Sequence, residues 1–92
     1  MKLALAQLAV ENGAVEANTD RAVDAVAEAA DVDADLVVLP EIFNVGYFAF
    51  ESYAREAEPL DGKTLTRVRE AAADHGVGVL AGSIVEDLGA TT

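Results

Sequence analysis

The sequence predicts an α/β layered domain in which strand, helix, strand, helix and strand follow one another. Three observations lead there. Short, dense apolar runs occupy residues 3–10, 36–39 and 77–85. Between them lie two segments whose apolar residues recur at helical spacing. Most of the connectors are short, so each strand–helix–strand unit is expected to close as a parallel pair with a right-handed crossover. At 92 residues the chain is one domain with one small core.

The first run, residues 3–10, is apolar on both faces, which suits a strand buried between layers. Glu11, Asn12 and Gly13 break it as a loop, and Asn18 or Thr19 is the expected N-cap of the first helix, with Asp20 in its first turn. Ala22, Val23, Val26, Ala27 and Ala30 form the stripe expected to be buried, and Asp20, Asp24, Glu28 and Asp31 form a solvated acidic face. Residues 31–35 connect to the second strand, which Pro40 ends. Strand C-terminal ends in such a sheet face the functional rim.

Residues 41–59 form a long connection holding every aromatic residue of the chain: Phe43, Tyr47, Phe48, Phe50 and Tyr53. Connections of that length are uncommon in compact domains and often bind ligands, so pocket lining is expected of this one, with a short helix near residues 52–56. Asp61 and Gly62 make a turn before a second helix over residues 64–75, which buries Leu65, Val68, Ala71 and Ala72 and stops at Gly76. In the third strand Gly78 and Gly82 are expected to allow close backbone approach.

Composition excludes several functions. Hydrophobic residues make up 52% and charged residues 25%, too apolar for a disordered chain and too charged for a membrane bundle. With 17 acidic against 6 basic residues and a net charge of -11, neither nucleic acid nor an anionic membrane is an expected partner. No targeting segment or membrane span is evident, and the cytoplasm is the expected location. Cysteine is absent, and a single histidine, His75, makes no metal cluster, so no cofactor is expected. His75 reads as a helix C-terminal residue favoured by the dipole. Gly76, Gly78 and Gly82 miss the dinucleotide spacing, and Gly82 and Ser83 lack the second glycine of a nucleophile elbow.

Glu41 stands apart, directly behind a proline at the end of an apolar strand. The position suits a buried carboxylate, and partial desolvation brings a carboxyl group toward the range in which a general base works. The plainer reading is an exposed glutamate at a strand end.

The run LVVLPEIFNVGY, Leu36 to Tyr47, resembles the glutamate motif of the nitrilase or carbon–nitrogen hydrolase superfamily. The opening MKLALAQL, followed by Asn18 and an alanine-rich helix, is similar to that family's first strand and helix. Residues 62–83, with Ala72, His75 and Gly76, resemble its next helix and strand. The resemblance implies the N-terminal part of an α-β-β-α sandwich, with residues 1–92 a single partial domain, roughly the first third. It also implies a Glu, Lys, Cys triad that hydrolyses non-peptide carbon–nitrogen bonds of small amide, carbamoyl or nitrile substrates. Glu41 would be its general base, Tyr47 and Phe48 would line the substrate pocket, and a homo-oligomer is the common assembly. Lys2 and Lys63 do not occupy the family's lysine motif, and the cysteine is missing, so the 92 residues alone are expected to be inactive. Two other readings stand beside this one. A non-catalytic α/β fragment could act by pairing its open sheet, and a nucleotide-binding or receiver-like domain would need an acidic cluster where Glu11 stands alone.

The acidic excess, with only two lysines, resembles proteins adapted to molar salt. In about 1 M salt the Debye length is about 3 Å, and a surface of this charge density repels itself far less. The melting temperature is therefore expected to rise between dilute buffer and molar KCl; a thermal scan that gives the same value in both removes the salt-adaptation reading.

Overall fold

The structure, a computed structural model, describes residues 1–46 and 56–84. Strands β1 (Leu3–Leu5), β2 (Leu36–Val38) and β3 (Gly78–Leu80) alternate in the chain with helices α1 (Val15–Asp31) and α2 (Lys63–His75). The sheet order is β1-β2-β3, all parallel, so the α/β order expected from the sequence is the order observed.

Register divides the sheet into two faces. Ala4, Val37 and Val79 lie in one row across the three strands, and both helices pack on that side. Val26, Ala29, Ala34, Val37, Ala71 and Val77 make one buried cluster there, and Ala22, Leu39, Phe43 and Val68 make a second. The opposite face carries two rows, Leu3 with Leu36 and Gly78, and Leu5 with Val38 and Leu80. Its outer leucines are exposed, Leu3 to 53%, Leu5 to 73% and Leu80 to 57%. The expectation that the first strand is buried between layers is therefore corrected: among the described residues only one face of the sheet is covered.

The strands are also shorter than the apolar runs. Pairing of β1 ends near Leu5, with a last bond from Ala6 N to the Val38 carbonyl at 3.0 Å. Pro40 ends β2 and has no N–H to extend the ladder, so residues 7–10 run past the sheet without a strand partner. The last β2–β3 bond, Leu39 N to the Leu80 carbonyl at 2.9 Å, marks the same limit on the other side. Residues 81–84 lie beyond it, and residue 85 falls outside the described residues.

Helix α1 starts earlier than its expected caps. Gly13 turns with φ 77°, Ala14 is the N-cap, and Asn18 N already bonds the Ala14 carbonyl at 2.9 Å. Asn18 and Thr19 thus sit inside the helix, both buried. Thr19 Oγ1 bonds back to the Val15 carbonyl at 2.7 Å, the local satisfaction open to a hydroxyl within a helix. Ala22 and Val26 are buried as expected; Ala29 takes the third buried place, with Val23, Ala27 and Ala30 partly buried. The acidic face is exposed as expected, although Asp20 pairs with Arg67 of α2 at 2.8 Å. Helix α2 ends at Gly76, whose left-handed φ of 65° lets its N–H cap the Ala72 carbonyl.

Leu39 is 1% exposed in the cluster that joins β2 to both helices. Leu39→Ala is expected to lower unfolding free energy by about 2–5 kcal/mol, read as a lowered denaturant midpoint. Leu5→Ala, on the open face, is expected to cost far less.

Candidate active site

Pro40 interrupts the ladder, and the chain leaves the sheet as a turn over residues 41–45, closed by Gly46 N on the Ile42 carbonyl at 2.8 Å. Irregular backbone of this kind needs hydrogen-bond partners wherever it is buried. Phe43, Asn44, Val45 and Gly46 are all buried, and the turn finds its partners on three sides.

The first side is the loop before α1. Gly13 N donates to the Val45 carbonyl at 2.7 Å, and Asn18 Nδ2 donates to the Asn44 carbonyl at 2.7 Å. The same Asn18 amide closes on residue 11, accepting from Glu11 N at 2.8 Å and donating to the Glu11 carbonyl at 2.7 Å. Arg21 steadies this loop by donating to the Ala9 carbonyl at 2.8 Å and pairing with Glu11 at 3.4 Å. Gly46, at φ 107°, packs so tightly that a Cβ would stand 2.6 Å from Asn12 Oδ1.

The second side is the start of α2. Asn44 Nδ2 donates to Glu58 Oε2 at 3.2 Å and to Thr64 Oγ1 at 3.3 Å. Thr64 Oγ1 in turn donates to Glu58 Oε2, and Glu58 Oε1 accepts from Thr64 N at 2.8 Å. Glu58 therefore places a carboxylate at the positive end of α2, where Gly62 has no side chain to cap with. Asn44 Oδ1 is buried and accepts no hydrogen bond among the described residues. The third side is the segment after β3, where Ser83 Oγ accepts from Ile42 N at 2.9 Å.

Glu41 opens this turn at the C-terminal end of β2, the functional rim expected from the topology. The buried carboxylate expected of it is corrected: Glu41 is exposed, and its side chain makes no hydrogen bond or ion pair among the described residues. Tyr47 and Phe48, the expected pocket walls, lie outside the described residues, as do Phe50, Tyr53 and most of the short helix expected near residues 52–56. Phe43, grouped with them in the sequence, is a core residue at 0% exposure. A cleft of about 570 Å³ opens between the N-terminal ends of α1 and α2, lined by Gly13, Thr19, Glu58, Lys63, Thr64 and Arg67, but Glu41 does not line it. Among the described residues no three His, Asp or Glu side chains gather to hold a metal ion, and no helix is long and apolar enough to cross a membrane.

The comparison with known proteins names the family. The sequence pattern described as Carbon-nitrogen hydrolase matches residues 2–91. The chain belongs to the carbon–nitrogen hydrolase family. A curated relative, an (R)-stereoselective amidase from Pseudomonas sp, is 38% identical over 82 residues, which is 89% of this chain and 30% of that protein. The crystal structure of an amidase from Nesterenkonia sp. superposes with a TM-score of 0.77 at 28% identity, covering 88% of this chain and 31% of that one. The chain thus spans about a third of the length of the carbon–nitrogen hydrolases it matches.

Sequence reading missed Asn18, Asn44, Glu58 and Ser83 as the groups that shape the turn. Asn18 carried a signal: it falls four residues before Ala22 and eight before Val26, a polar residue on the buried stripe of α1. Asn18→Ala strips partners from Glu11 and from the Asn44 carbonyl, and is expected to destabilise the chain by about 1–3 kcal/mol in denaturant unfolding. Asp24→Ala, on the exposed face of the same helix, is expected to stay within about 0.5 kcal/mol.

Proposed function

We propose that these residues are the opening third of a hydrolase of non-peptide carbon–nitrogen bonds, acting on small amides or carbamoyl compounds, with Glu41 as its general base. The observation that carries this reading is the position of Glu41. It stands just beyond β2, behind Leu39 and Pro40, on a turn pinned from three sides, within a chain of the carbon–nitrogen hydrolase family. The lengths of the relatives support the view that a lysine and a nucleophilic cysteine lie in further sequence, since this chain has no cysteine and covers about a third of each relative. Lys2 precedes β1 and Lys63 opens α2, so neither shares the turn with Glu41.

The chemistry proposed is covalent catalysis with one proton shuttle. The cysteine thiol gives its proton to Glu41, and the sulfur attacks the carbonyl carbon to form a C–S bond. The lysine would stabilise the oxyanion of the tetrahedral intermediate. Collapse breaks the C–N bond, and Glu41 returns its proton to the departing ammonia or amine. Water then attacks the acyl-enzyme, losing a proton to Glu41; the C–S bond breaks, the acid leaves, and the thiolate recovers that proton. No metal or cofactor enters these steps. Both named relatives are amidases, which supports amides over nitriles as substrates.

The exposed leucine face of the sheet supports the sandwich architecture, because a second sheet packed on Leu3, Leu5 and Leu80 would remove that apolar surface from water. The same face supports a second reading, a non-catalytic module that covers it with another chain. Ammonia release from short aliphatic and aromatic amides by the full gene product separates the two. The hydrolase reading expects turnover, its loss in Glu41→Gln with an unchanged melting curve, and none from the 92 residues alone. Near-normal turnover by Glu41→Gln removes Glu41 from the mechanism.

A further inference from the structure

Resting on the reading of Glu41 as the base, we propose that Gly82 and Ser83 form the cradle that aims it, with Ser83 a positioning residue for the reaction. The two residues hold Glu41 from both neighbours. On its N-terminal side, Gly82 packs against the backbone of Leu39 and Pro40. A Cβ at position 82 would stand 2.5 Å from the Pro40 carbonyl oxygen and 2.6 Å from that of Leu39, closer than any side chain allows. On its C-terminal side, Ser83 Oγ accepts the Ile42 N–H at 2.9 Å.

The arrangement follows from how the parallel ladder ends. Leu39 N makes the last backbone bond from this strand to β3 among the described residues. Beyond it the segment after β3 reaches the turn through a side chain, the Ser83 hydroxyl accepting the Ile42 N–H. What it holds is a strained residue. Ile42 sits at φ 46°, a left-handed conformation that a β-branched side chain rarely adopts. Such strain persists only where surrounding contacts over-determine it, and it collects at functional sites. Here the strained residue is the immediate neighbour of Glu41, so the direction in which that carboxylate leaves the turn is set by Ile42 and by the group that fixes Ile42.

A misplacement of about 1 Å at a catalytic group can cost on the order of a hundredfold in rate. In the full gene product, Ser83→Ala is expected to lower kcat for amide hydrolysis by about tenfold or more, with KM changed less than about threefold because no contact to substrate is lost. Ser83→Thr, which keeps the hydroxyl, is expected to restore most of kcat. If Ser83→Ala does not fold, Ser83→Cys supplies a weak acceptor of similar size, and the same loss in kcat with a steady KM is expected of it. Wild-type kcat in the folded Ala or Cys variant, beside a dead Glu41→Gln, overturns the cradle and leaves Glu41 as the base. Loss in KM alone, or failure of Thr to rescue, reassigns Ser83 to ordinary packing and also overturns it. Full turnover by Glu41→Gln removes the base and the cradle together.

Discussion

The structure depends on one constraint: the turn that follows β2 leaves the sheet at Pro40, is buried from Phe43 to Gly46, and must still satisfy its backbone polar groups. A proline with no N–H ends the ladder, and the buried carbonyls and amides beyond it can no longer use strand partners. Asn18 from α1, Gly13 from the loop before it and Ser83 from beyond β3 supply those partners instead. Because these partners, two donors and one acceptor, come from separate parts of the chain, the turn also locks those parts to one another. Asn18 alone joins α1, residue 11 and residue 44.

Asn44 extends the same logic outward. Its carbonyl faces Asn18 while its side-chain amide reaches Glu58 and Thr64, so one buried residue joins the starts of both helices. Glu58 satisfies Asn44 and the N-terminus of α2 together, and its charge lies where the helix dipole favours it. Breaking any member leaves buried donors or acceptors without partners, a loss larger than the net value of the bond itself.

Much of the architecture was legible in the chain. Apolar runs located the three strands, helical spacing located α1 and α2, and Gly76 marked the stop of α2, because each signal is local and tied to a backbone preference. Strand lengths were not legible, since pairing ends where the partner strand ends, and residues 7–10 continue a largely apolar run with no strand beside them among the described residues. The start of α1 was misplaced for a related reason: Asn18 has the chemistry of a cap, and only the fold shows that its amide is spent on residues 11 and 44. Glu41 could be singled out by its place after the strand and Pro40. The groups around it could not, because Asn44 meets Glu58 and Ile42 meets Ser83 across separations of 14 and 41 residues. Glu41 is exposed, as are Leu3, Leu5 and Leu80 on the open face of the sheet.

The central claim is that the pinned turn presents Glu41 to a thiol. A crystal structure of the full gene product tests it most directly. The Glu41 carboxylate is expected within hydrogen-bond reach of a cysteine sulfur, with Ile42 N still on Ser83 Oγ and a lysine ammonium at the same rim. A Glu41 side chain facing bulk solvent, with the cysteine and lysine gathered elsewhere, contradicts it.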